Sequence, residues 1–373
     1  MREAARRVAE MLRGRGPRTR SELIALTGLS RPTVGGALAD LRKAGLVTEE
    51  LGLPSGGRPA GVFRLTRKAG LAVGVDIGRR HVRVAVADLG HEILADQAIR
   101  LEQDADDHPH VALDLAVHQV DSVLAAIHGS REEVVGVGLG IPAPVTLQGR
   151  IGSPTLLPAW AELLPEKELT ERLGGLNVRV DNDANLGALA EHTWGAGRDC
   201  ADLVYVKIAT GIGAGIVLDG RLYRGSAGTA GELGHVTLDA SGPICRCGNR
   251  GCLELSAGGR ALLAQAGLRD LDELSEKAAM GDPSCRRLLL DAGRHLGIAL
   301  GGLLNLINPD RIVVGEFGSL KNSTELLLEP VRRGLAETAM AAAVDSVEVV
   351  QAHLGERAAS LGGVALALGV DRY

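Results

Sequence analysis

The chain has 373 residues, a mass of 38.8 kDa and a formal charge of -5 at pH 7. No apolar run approaches the roughly 20 residues that cross a bilayer, which excludes a membrane-spanning helix. The charged start MREAARRVAEMLRGRG lacks a signal-peptide core, and five cysteines, an odd number, argue against a secreted disulfide framework, so a cytoplasmic location is expected.

The length calls for two or three packed units. The charge is divided: residues 1–68 hold 14 Lys/Arg against 6 Asp/Glu, or +8, which leaves -13 on the remainder. Such asymmetry fits a nucleic-acid-binding head on an acidic body.

In chain order, three short helical patterns come first: Glu3 to Arg13, Ser21 to Leu26 and Arg31 to Ala44. Gly28 supplies a tight turn, Ser30 can cap the third helix with Pro32 in its first turn, and Gly45 can end it. Val34, Leu38 and Leu41 share a core face, leaving Ser30, Arg31, Thr33 and Arg42 for base edges or phosphates in a major groove. The segment VTEELGLPSGGRPAGVFRL then reads as strand, turn and strand, a wing with Arg58 at its tip for a minor groove. The whole of 1–68 resembles the winged helix-turn-helix of bacterial repressors.

From Leu71 two apolar runs flank a loop after Asp76, predicting a β-hairpin. Strands follow at Val134 to Gly140, Val178 to Val180, Leu203 to Ile208, Gly213 to Leu218, Arg311 to Val314 and Val347 to Val350, alternating with helices. This is an α/β body with more than one sheet, and a cleft between two lobes is the expected ligand site. The loop DNDAN (181–185) joins a strand to a helix. There Asp183 can take a proton from a hydroxyl, with Asn182 bonding a neighbouring hydroxyl, or Asp183 can simply cap the helix. A second turn, ATGIGAG (209–215), offers Thr210 and backbone N–H groups to a phosphate, or is a plain hairpin turn.

Between Gly231 and Glu254 the chain reads GELGHVTLDASGPICRCGNRGCLE. His235, Cys245, Cys247 and Cys252 form an H-x9-C-x-C-x4-C series, a donor set for one structural zinc per chain of the Cys3His type. Cys200 and Cys285 stand apart as core thiols, while Trp160 and Trp194 suit either core or sugar platform.

Together, the GELGH-led zinc series, the DNDAN loop, the TGIGAG turn and the DIG start resemble the ROK family of repressors and sugar kinases across essentially the whole chain. The resemblance implies the two-lobed, actin-like, hexokinase-type fold. The expected division is a head at 1–68, a first α/β lobe at 69–190 with a returning helix at 358–373, and a second lobe at 191–357 carrying the zinc loop and an oligomerisation surface. It also implies a sugar site of Asn182, Asp183, Glu232, His235 and Glu254, in which the His235 ring serves zinc with one nitrogen and a hydroxyl with the other.

The family's kinases carry a DxGGTK phosphate loop, whereas this chain has Asp76-Ile77-Gly78-Arg79-Arg80-His81. The bulky arginines obstruct backbone approach to phosphates, and Glu316 adds a negative charge on the nucleotide side. A nucleotide site of Asp76, Gly78, Thr210 and Gly211 binding ATP and magnesium is therefore disfavoured, and no catalytic residue is expected. The reading is a sugar-responsive regulator, a repressor, that binds operator DNA and a sugar or sugar phosphate as a homodimer or homotetramer. The alternatives are an ATP-dependent, glucokinase-like sugar kinase with Asp183 as general base, and a body that only oligomerises the head.

Overall fold

A computed structural model describes residues 3–51, 61–315 and 321–372, with side chains 321–325 left out. Arg58 and Glu316 lie outside the described residues. The chain divides into two compact units. The first comprises residues 1–140, 165–180 and 363–373, and the second 141–164 and 181–362. These bounds differ from those expected from sequence, since the head and the first sheet share one unit.

The head consists of α1 (Glu3–Arg15), β1 (Arg18–Thr19), α2 (Arg20–Thr27), α3 (Arg31–Lys43), β2 (Val47–Leu51) and β3 (Gly61–Leu65). Helix α2 begins one residue before the expected Ser21 and is capped by Thr19, whose hydroxyl accepts from the Glu22 N–H while the Glu22 carboxylate accepts from the Thr19 N–H, a reciprocal capping box. Gly28 then turns the chain at a φ of 64°, in the left-handed region where glycine is least strained. Ser30 Oγ accepts from the Thr33 N–H and caps α3. Val34, Ala37, Leu38 and Leu41 of α3 are buried, as are Val8 and Leu12 of α1. The two wing strands pair antiparallel and β1 adds to β3, giving the order β1-β3-β2.

The first unit continues with β4 (Leu71–Ile77), β5 (His81–Asp88), β6 (Ile93–Arg100), α4 (Pro109–Ala126), β7 (Val134–Ile141), α5 (Pro165–Arg172) and β8 (Val178–Asn182). The expected hairpin is thus a three-stranded meander. Its third strand was hidden because β6, ILADQAIR, has no buried residue and no apolar alternation. The sheet order is β6-β5-β4-β7-β8, with β7 parallel to β4.

The second unit holds α6 (Asp183–Trp194), β9 (Leu203–Ile208), β10 (Ile212–Leu218), β11 (Arg221–Tyr223), α7 (Glu254–Ala257), α8 (Gly259–Ala266), α9 (Leu271–Ala279), α10 (Pro283–Ile307), β12 (Arg311–Val314), α11 (Lys321–Thr338), α12 (Ala341–Ser346) and β13 (Glu348–Gln351). The last helix, α13 (Ala358–Leu368), starts in the second unit and ends in the first. The second sheet runs β11-β10-β9-β12-β13, with β9 to β11 antiparallel and β12 and β13 parallel to β9. Each sheet is therefore an antiparallel meander followed by two further strands on the side of its first strand.

The core of the second unit gathers Val204, Val206, Ile208, Leu253, Leu289, Leu296, Leu300, Ile312, Leu327 and Val331. The long helices α10 and α11 meet closely because Gly297 faces Gly334. A Cβ on Gly297 would strike the Val331 carbonyl and the Gly334 Cα. Cys200 and Cys285 are buried free thiols and Trp160 is a core residue.

Candidate functional site

The carboxylates singled out by sequence converge in the second unit. The DNDAN turn is built by Asp181, whose buried carboxylate accepts from the Asn182 N–H, from Asn185 Nδ2 and from Arg224 Nε. Asn182, rather than Asp183, is the cap of α6: its Oδ1 accepts from the N–H groups of Ala184 and Asn185, while its Nδ2 donates to the Ala143 carbonyl. Asp183 is left for another task. Its Oδ2 lies 2.6 Å from Lys207 Nζ, which reaches it from β9.

Glu232 precedes a single 3-10 turn, Leu233–His235. Burial, together with the charges of Asp183 and Glu254, pushes its carboxyl up to about 7. Three acids therefore share one neighbourhood, and Glu232 holds a proton more readily than an ordinary carboxyl group. Glu254, the first residue of α7, lies against the β9–β10 turn. Its carboxylate accepts from the Ile212 N–H at 3.3 Å and from Arg246 Nε at 3.3 Å, and a Cβ on Gly211 would collide with it. Thr210 and Gly211 lie in the β9–β10 hairpin turn, with the Thr210 carbonyl accepting from the Arg260 N–H at 3.0 Å.

The ligating atoms of His235, Cys245, Cys247 and Cys252 all lie within 4.8 Å of one another. A tetrahedral ion with sulfur bonds of about 2.3 Å requires sulfur–sulfur edges of about 3.8 Å, and Cys247 Sγ stands 3.7 Å from Cys252 Sγ. His235 turns Nδ1 toward this group, 3.7 Å from Cys245 Sγ. Burial pushes the Cys252 thiol up to about 12, the nearby Cys247 and Cys245 sulfurs adding to it. Sulfurs this crowded favour a cation among them. The knuckle is shaped by its own backbone: the Cys245 N–H donates to the Asn249 carbonyl and the Gly251 N–H to Pro243. Gly251 has a φ of 56° and a Cβ there would run into the Asp239 carbonyl, so only glycine closes the loop.

In the first unit, the loop in place of a phosphate cradle is filled by its own side chains. His81 Nε2 lies 3.0 Å from Asp76 Oδ2, and a Cβ on Gly78 would collide with the His81 ring. Arg79 pairs with Asp104, and its carbonyl accepts from the Ala105 N–H; the Arg80 carbonyl accepts from Leu101. The arginines are turned toward residues of their own chain.

At the head, Ser30, Arg31, Thr33 and Arg42 are exposed. Ser30 and Thr33 share a hydroxyl–hydroxyl bond of 2.7 Å, and Arg42 forms a 2.6 Å ion pair with Glu49 of the wing. Arg31 is the first residue of α3.

Sequence reasoning missed Lys207, Arg224, Arg246 and Asp181. The signal for Lys207 was a lone cation in the otherwise apolar strand LVYVKI. For Arg246 it was a place between two metal-type cysteines.

Residues 72–370 match the ROK family and residues 3–49 the bacterial regulatory protein, arsR family. A xylose repressor of Bacillus subtilis is 30% identical over 351 residues, covering 93% of this chain and 90% of that protein. A glucokinase of Halalkalibacterium halodurans is 30% identical over 311 residues, covering 78% of this chain and 93% of its own length. A solved ROK family transcriptional regulator, a homologue of the Escherichia coli Mlc protein, aligns with a TM-score of 0.77 at 27% identity, covering 98% of this chain and 95% of that one. The chain belongs to the ROK family, its two-lobed actin-like body preceded by a helix-turn-helix.

Proposed function

We propose that the chain is a sugar-responsive transcriptional repressor: the head, residues 1–68, binds operator DNA, and the body senses a sugar or sugar phosphate. One observation carries this reading. A head matching a bacterial regulatory family precedes a body whose carboxylates converge while its Asp76 loop is occupied by His81 and Arg79. Similarity to a protein named xylose repressor over nearly the full chain supports it. Arg31 at the start of α3 and Arg58 of the wing are the proposed base and groove contacts, with Ser30 and Thr33 setting the helix end and Arg42 steadying the wing.

In the body, Asn182, Asp183, Glu232, His235 and Glu254 read the hydroxyls. Zinc fits the cluster and would be held by His235 Nδ1 and the three sulfurs. With all four positions taken it supplies shape rather than a reactive water. It would place His235, with Nε2 on the other edge of its ring, beside Glu254. Ligand binding shifts the balance between two body states that differ in DNA affinity, and paired heads in a dimer or tetramer match paired half-sites.

The test is fluorescence anisotropy of operator DNA with and without a panel of aldoses and their phosphates. Affinity changed at least about tenfold by one sugar that binds the body supports the coupling; affinity indifferent to every sugar that binds overturns it. A sugar kinase remains the second reading because Asn182 and Asp183 are present and a glucokinase is 30% identical over 78% of the chain. ADP release dependent on a hexose, and abolished by Asp183→Asn, would establish it.

A further inference from the structure

This inference deepens the sugar reading and rests on it. Lys207 is the one charged residue of β9, LVYVKI. It lies opposite Gly213 of β10 in the antiparallel register, and α6 packs on both strands. Its ammonium is thus delivered by the sheet, while Asp183 is delivered by the first turn of α6. The two meet at 2.6 Å with side-chain exposures of 24% and 11%, sheltered enough to be weakly screened and open enough to be reached.

A half-buried lysine costs desolvation and side-chain entropy, which a surface position would avoid. Here it sits on the carboxylate that stands, with Glu232 and Glu254, at the convergence of acids. A carboxylate has two oxygens and about four lone-pair directions, and an ammonium has three N–H donors, so each can serve a further partner.

We propose that Lys207 is a ligand-reading residue: one hydroxyl of the sugar sits in the Lys207–Asp183 fork, donating its proton to Asp183 and accepting from Lys207. A hydroxyl is both donor and acceptor, and the fork supplies the complement of each with a charged group, the stronger kind of hydrogen bond. A methylene in that position satisfies neither charge. The site therefore selects a polyhydroxylated ligand by one particular hydroxyl and rejects the matching deoxy sugar.

The experiment compares wild type, Lys207→Met and Lys207→Arg by thermal shift and titration calorimetry against neutral aldoses, aldose phosphates and their monodeoxy analogues. Expected for Lys207→Met is a loss of about tenfold or more in affinity for the sugar that binds wild type. Discrimination against one deoxy analogue should collapse with it, while the metal content stays unchanged. Lys207→Arg should recover part of both. Unchanged affinity or unchanged deoxy discrimination in Lys207→Met overturns the inference and leaves the sugar reading standing. If Lys207→Met does not fold, unaltered deoxy discrimination in Lys207→Arg overturns it instead. If no sugar or sugar phosphate binds wild type, the sugar reading falls and Lys207 with it.

Discussion

Asp183 shows what a residue's neighbours add to its local sequence. On the DNDAN loop alone, capping and hydroxyl chemistry are both open to it. The fold resolves the matter by giving the cap to Asn182 and an ion pair to Asp183. That pair was not legible, because Lys207 lies 24 residues along the chain and meets Asp183 only once β9 packs under α6. The metal-type quartet was legible because its ligands sit within 18 residues and spacing alone constrains them. His91 was not singled out at all. Its Nε2 bonds the Arg13 carbonyl at 2.7 Å and burial pushes it down to about 4 from an ordinary 6.5. The unfolded chain therefore takes a proton before the folded one does. The contribution is complete above pH 6.5, fades as pH falls from 6.5 to 4, and levels off below. About 3 kcal/mol is at stake, from about 1.4 per pKa unit. His91→Asn, which tolerates the left-handed backbone at φ 70°, should flatten the pH dependence of the urea midpoint between 6.5 and 4 relative to wild type. Equal slopes in the two proteins would contradict this assignment.

Among the elements, helix starts were the easiest to read and sheet order the hardest. Ser30 and Pro32 announce α3, and Ser30→Ala should lower head stability by about 1 kcal/mol, measured by denaturant unfolding, with DNA affinity falling alongside. By contrast, strands β6 and β11 carry few buried side chains, so period-two alternation gave no sign of them. The parallel pairing of β12 with β9 joins segments about a hundred residues apart, beyond the reach of any local pattern. The knuckle from His235 to Cys252 is an element in its own right; Leu238 packs against the core, while Val236 and Ile244 are exposed. Cys247→Ser should release the metal, seen as lost stoichiometry by elemental analysis, and weaken sugar binding while the head still binds DNA. Retained metal would refute the ligand assignment.

For the molecule as a whole, the charge split at residue 68 pointed to a separate head, yet the head joins the first sheet in one unit. That union was not legible because the polar bonds that tie it are scattered along the chain, among them Arg13 to the Ala367 carbonyl at 2.6 Å, Arg64 to Gly90 at 3.1 Å, Arg67 to Ile127 at 2.7 Å and His91 to the Arg13 carbonyl. None belongs to a motif. Replacing Arg13 with Ala should therefore lower the cooperativity of unfolding, so that head and first sheet melt apart in calorimetry, without changing sugar affinity. A single unaltered transition would show the tether to be dispensable.

The bond from Arg13 to Ala367 spans 354 positions. Arg179 of β8 holds the same end of α13, donating to the neighbouring Leu366 carbonyl and pairing with Asp371. The helix-turn-helix is thus fastened to a helix far along the chain, and this contact exists only once α13 has packed. A substitution that shifts α13 would therefore be felt in the seating of the helix-turn-helix, 354 positions away in sequence.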